Sequence, residues 1–106
     1  NEIEASQRRF DAKYDLNFKP EFDGLGGHFA IAVAPKNGSQ TTNFTHEILL
    51  TRPATNEQNQ NLDAKFDGQI LKTAPVTLPK KGRWQILLKI SDANDTGFYK
   101  FNFEAR

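Results

Sequence analysis

The sequence predicts an all-β protein, an antiparallel β-sandwich of about seven strands at Greek-key spacing, with a short N-terminal helical or irregular lead-in. Three observations carry this. Nine Phe, two Tyr and one Trp supply much of the apolar content, and aromatic and β-branched residues favour strands. Several stretches alternate apolar and polar residues with period two, as half-buried strands do. Clusters of Gly, Pro and Asn interrupt those stretches at the short intervals of a sandwich. A chain of 106 residues suits one domain around one modest core.

Residues 1–12 are expected as the lead-in and 13–106 as the sandwich. "EIEASQRRFDA" contains good helix formers, with Ile3 and Phe10 seven apart. So few apolar residues predict a helix that frays. "KYDLNFK", residues 13–19, sets Tyr14, Leu16 and Phe18 against Lys13, Asp15 and Asn17, and Pro20 ends that strand or confines it to an edge. "FDGLGG", residues 22–27, is a turn, because it lacks the Lys-Ser/Thr of a phosphate loop and a strand follows it. "HFAIAVA", residues 28–34, places Phe29, Ile31 and Val33 opposite three alanines, a face open to close approach by another element. Asn37-Gly38 signals a hairpin into "FTHEILLT", residues 44–51, with Phe44, His46, Ile48 and Leu50 on one face.

"RPATNEQNQN", residues 52–61, reads as a polar loop after a strand stopped by Pro53. Residues 62–78 hold two strands around an Asp67-Gly68 turn, and Pro75 marks an edge or bulge in the second. After "PKKG", "RWQILLKIS" aligns Trp84, Ile86, Leu88 and Ile90, and "FYKFNFEA" turns Tyr99, Phe101 and Phe103 inward. Trp84, Ile86, Leu88, Tyr99, Phe101 and Phe103 are therefore the expected structural core.

Composition narrows the function classes. Fourteen basic and thirteen acidic residues give a net charge of +1, which argues against a dedicated nucleic-acid or membrane-surface patch. The chain has no Cys and no Met, which excludes disulfides, thiolate metal sites and soft copper sites. No apolar run approaches the ~20 residues of a membrane span.

Candidate chemistry is sparse. His28 and His46 are the two histidines. Meeting across neighbouring strands beside an acid, they would suit copper or zinc; otherwise they are ordinary boundary residues. Asp63 and Asp67 could form a carboxylate pair or a solvated face. Lys80, Lys81 and Arg83 beside Trp84 suggest a nucleic-acid or sugar site if the indole is exposed, and a solubilised turn around a core anchor if it is not. No serine has the elbow or base of a hydrolase. The residues point to no catalytic site, no cofactor and no enzyme.

The order Arg52-Pro53, Asp67-Gly68, Leu78-Pro79 and Gly82-Arg83-Trp84, followed by a closing aromatic strand, resembles the periplasmic domain of the FixH family, also called CcoH. The likeness spans roughly residues 48–103. It implies an immunoglobulin-like domain on the periplasmic face of the bacterial inner membrane, with a single membrane helix upstream of Asn1 and residues 1–12 as the juxtamembrane lead-in. It also implies a non-enzymatic accessory role in biogenesis of a cbb-type cytochrome oxidase, with oxidase subunits or a copper-transporting P-type ATPase as partners and no nucleic acid. Two other readings stand beside it: a periplasmic copper-handling domain built on His28 and His46, and a carbohydrate-binding or adhesive sandwich that uses an exposed Trp84.

Overall fold

The computed structural model describes residues 2–36, 44–52 and 55–105. One helix, α1 (Glu2–Lys13), runs without a linker into β1 (Tyr14–Asp23), followed by β2 (Gly26–Pro35), β3 (Thr45–Arg52), β4 (Thr55–Leu62), β5 (Ala64–Phe66), β6 (Ile70–Thr73), β7 (Val76–Thr77), β8 (Gly82–Ser91) and β9 (Thr96–Ala105). All strand pairs are antiparallel and form two sheets. Sheet A has the order β1-β2-β6-β5, with β7 alongside β2, and sheet B the order β4-β3-β8-β9. This is the immunoglobulin arrangement, with one strand added beside the third. Among the described residues no helix is long and apolar enough to cross a membrane.

Alternation explains the two inner faces. Phe29, Ile31 and Val33 of β2, Ile48 and Leu50 of β3, and Trp84, Ile86, Leu88 and Ile90 of β8 are all buried. Tyr99, Phe101 and Phe103 lie on the same inner side of β9 and are half-buried against this core. They close one flank of the sandwich with aromatic pairs to β1. Phe18 stacks on Phe101 at 4.7 Å and 3°, and Phe22 meets Phe103 at 4.9 Å.

Of the two roles expected of Pro20, the structure shows the second: β1 continues to Asp23 with Pro20 opposite Phe29, tolerated because β1 is an edge strand. Three expectations change. Residues Thr55–Leu62 are a strand, not a loop, paired with β3 from Ile48↔Leu62 to Arg52↔Thr55. An edge strand needs few apolar residues because backbone bonds hold it, and Leu62 supplies the buried contact. The strands on either side of Asn37-Gly38 are not a hairpin, since β2 belongs to sheet A and β3 to sheet B; Asn37, Gly38 and Pro53 themselves lie outside the described residues. The strand expected over residues 69–78 is two short ones, β6 and β7, with Pro75 between them.

The Asp67-Gly68 turn is present. Gly68 has a φ of +102°, and Asp67 Oδ1 accepts hydrogen bonds from the N–H groups of Gln69 and Ile70. Those bonds hold the Asp67 carboxyl below its usual range.

Candidate functional site

Of the residues that carried the family likeness, Arg52, Gly82 and Trp84 converge at one end of the sandwich, while the Asp67-Gly68 turn lies toward the other, beside Val33 of β2. Trp84 is fully buried, and its indole N–H donates to the Lys80 carbonyl at 3.0 Å. The Arg52 guanidinium lies over the indole, 4.8 Å from the ring centroid, and reaches the Lys81 carbonyl. Gly82 turns the chain at a φ of +111°, and a Cβ there would come within 3.0 Å of Arg52 Nη2. Arg52, Gly82 and Trp84 thus form one structural corner. A buried indole with its N–H satisfied offers no platform to a sugar or base, so the carbohydrate-binding reading through an exposed Trp84 fails. Lys80, Lys81 and Arg83 are solvent-exposed around this corner.

The opposite end is built from charge. Helix α1 docks there through a single fully buried side chain, Phe10, whose ring lies 4.7 Å from Tyr14 and 6.1 Å from Tyr99 and from Phe44. Gly97 makes the room, since a Cβ there would meet Tyr99 at 2.7 Å and the Phe10 ring at 2.8 Å. Around this plug, Arg9 Nε contacts Asp95 Oδ1 at 2.7 Å, and Lys13 Nζ contacts Asp92 at 2.7 Å and Asp95 at 2.9 Å. Tyr14 donates its hydroxyl to Asp92 at 2.8 Å.

Asp92 also caps its own turn by accepting from the N–H groups of Asn94 and Asp95. Its burial favours the neutral carboxyl, but Lys13, the two N–H groups and the Tyr14 hydroxyl outweigh that and hold Asp92 far below the usual carboxylate range. Asp95 is lowered by Lys13 and Arg9 against a smaller burial effect. Burial pushes the Lys13 ammonium down, and its bonds to Asp92 and Asp95 more than offset this, so it titrates above its ordinary value. Burial, then the Asp11 carboxylate that accepts its hydrogen bond, push the Tyr99 hydroxyl up. Every charge in this network is met by a partner, as a clasp requires.

The structure does not bring His28 and His46 together. His28 lies on the outer face of sheet A, opposite Glu21 near the β1–β2 turn, with its Nε2 2.7 Å from Glu21 Oε2. His46 lies on the inner face of sheet B, opposite Ile90 at the helix end, and its Nδ1 finds no hydrogen-bond partner among the described residues. Different sheets, faces and ends preclude a shared metal, and among the described residues no three His, Asp or Glu side chains gather as metal ligands. Asp63 and Asp67 are exposed on either side of β5, and Asp67 is occupied with its turn. Ser6 Oγ accepts from the Thr96 N–H, and Ser91 Oγ lies 2.7 Å from Thr96 Oγ1; neither faces a base.

A surface that the motifs did not reveal lies on the outer face of sheet B. Leu49 of β3 stands directly opposite Leu87 of β8. Next to them is Phe98 of β9, 48% exposed and opposite Lys89. With Glu47, Asn61, Lys89 and Lys100 they line an open groove of about 560 Å³. The signal is in the sequence. Alternation breaks at Ile48-Leu49-Leu50, at Ile86-Leu87-Leu88 and at Phe98-Tyr99, each break places an apolar residue on the outward face, and the strand register brings the three together. Contiguous exposed apolar groups bordered by charge mark protein contact surfaces more often than small-molecule sites.

A comparison with curated proteins returns no match. Among solved structures, the chain is similar to a DUF4426 family protein from Pseudomonas aeruginosa PAO1, with a TM-score of 0.65 and 11% identity over 87% of this chain and 89% of that one. It is also similar to part of an engineered protein, with a TM-score of 0.60 and 15% identity over 90% of this chain and 20% of that one. At these identities the likeness concerns the sandwich alone. The FixH family profile matches residues 1–100, taking in α1 and every strand up to the middle of β9. The chain belongs to the FixH family and shares, at family level, its cytochrome oxidase accessory-type role.

Proposed function

We propose that this chain is the periplasmic domain of a membrane-tethered accessory factor that helps assemble or mature a cbb-type cytochrome c oxidase through protein–protein contact. The family match over residues 1–100 carries the reading. The partners are oxidase subunits or a copper-transporting P-type ATPase, and the contact is made by the outer face of sheet B. What supports that choice of face is the cluster of Leu49, Leu87 and Phe98, apolar side chains directed away from the core with lysines at their border. A groove of this kind accepts apolar anchors from a partner, while Lys89 and Lys100 favour acidic groups around them.

The reading makes two demands. Deleting the gene in its own host lowers the amount of assembled oxidase, and the full-length protein isolated from membranes brings oxidase subunits or the copper ATPase with it. Normal oxidase assembly in the deletion strain, together with recovery of neither partner, contradicts it.

A further inference from the structure

Among the described residues three large apolar side chains stand exposed: Ile3 at 62%, Phe98 at 48% and Ile70 at 39%. Phe98 belongs to the groove on the outer face of sheet B. Ile3 belongs to α1 and takes no part in the charged clasp. The course of the helix shows where it stands. The C-terminal end of α1 is fixed to sheet A, because Tyr14 opens β1 and the Lys13 carbonyl accepts from the Lys36 N–H just past β2. Phe10 lies between the sheets, against Tyr14 and Tyr99. One turn earlier, Ser6 Oγ and Gln7 Oε1 accept from the Thr96 and Phe98 N–H groups at the edge of sheet B.

Followed toward its N-terminus, α1 thus runs from sheet A past the edge of sheet B. Ile3 comes seven residues before Phe10, about two turns away on the same face of the helix. Those residues rise about 10.5 Å, whereas the middle of a sandwich lies roughly 5 Å from either sheet. Ile3 is therefore carried through the plane of sheet B to the level of its outward side chains, on the helix face turned toward β9. The outward side chain beside it is Phe98, whose N–H is held by Gln7, four residues on from Ile3.

We infer that Ile3 joins Phe98, Leu87 and Leu49 in one contact surface, so that α1 forms a wall of the docking site as well as a clasp. The inference rests on the proposed contact through sheet B, and its occupant is that partner: a protein segment with apolar anchors and acidic groups around them. Charge supports the occupant. Lys100 stands opposite Leu87, beside the anchors, and makes no ion pair among the described residues. An acidic group brought by a partner finds it available. The helix also fixes the spacing of the anchors. Gln7 donates to Asp11, which accepts from the Tyr99 hydroxyl, and the same Gln7 ties the Phe98 backbone to α1. Ile3 and Phe98 therefore keep one arrangement while α1 is docked, and two exposed apolar groups on separate elements act as a single surface.

The test uses the full-length protein in its own membranes, with a photo-crosslinking residue at position 3, 12 or 98. Ala12 is exposed and lies about two and a half turns from Ile3, so it faces the opposite side of α1. Positions 3 and 98 are expected to give adducts with the same partner, and position 12 none. Ile3→Asp is expected to lower recovery of that partner several-fold and Ile3→Leu to retain it; Ile3 is solvent-exposed, so neither change disturbs the core. An adduct at 98 with none at 3, or recovery by Ile3→Asp equal to wild type, overturns the inference and spares the contact through sheet B. Adducts at neither position overturn both.

Discussion

The two ends of the sandwich are closed by different physics. At one end Trp84, Arg52 and Gly82 form a compact corner within a few residues of strand termini, and its strength is buried area. At the other, α1 is held over the β8–β9 turn by one phenylalanine and a ring of ionic and hydrogen-bonded partners, and its strength is electrostatic and pH-dependent. The first corner unfolds with the core. The second can open while the sheets stay intact, because most of its contacts link α1 to a turn and an edge strand, not to sheet interiors.

Trp84→Ala tests the contrast most severely. It removes the largest fully buried side chain and is expected to cost about 3–5 kcal/mol, lowering the whole cooperative transition in denaturant. Phe10→Ala comes next, at about 3 kcal/mol, with a different signature: loss of helical signal and faster hydrogen exchange at the Thr96 and Phe98 amides, with the strand amides of β8 still protected. Equal deprotection of both ends in the two variants would erase the distinction. Gly97→Ala forces a methyl against Phe10 and Tyr99 and is expected to cost about 1–3 kcal/mol, again with the helix loosened first.

Acid acts on the charged end. Asp92 and Asp95 titrate below their unfolded values when folded, so their contribution is complete above about pH 4, the unfolded value. It is lost as pH falls through the lowered folded values. Melting temperature is therefore expected to fall below that pH, and to fall less steeply in Asp92→Asn, which starts lower. Arg52→Ala at the aromatic corner should cost least, about 1 kcal/mol from the lost stacking on Trp84, with no change in the acid limb.

How much of this was legible in the sequence follows the range of the interactions. Period-two patterning located β1, β2, β3, β8 and β9 because each buries one face, and the core residues of β8 and β9 followed from it. β4 was hidden because a polar edge strand is held by backbone bonds that leave no side-chain pattern. The Asn37-Gly38 signal misled because a turn motif describes a local bend and carries no information about which sheet the next strand joins. The charged clasp was invisible for a similar reason: Arg9 and Asp95 lie 86 residues apart, and each alone is an ordinary surface charge. The outer patch was half-legible. The leucine triplets could be read as broken alternation, but only the register shows that Leu49, Leu87 and Phe98 meet. Arg52, Gly82 and Trp84 of the family pattern proved to mark a scaffold corner and not that patch.

Contact through the outer face of sheet B can be probed in place with a photo-crosslinking residue carried by the full-length protein in its own membranes. At position 98, on that face, illumination is expected to give an adduct containing an oxidase subunit or the copper ATPase, while position 17, on the outer face of sheet A, gives none. Adducts from position 17 but not from 98, or from neither, would contradict it.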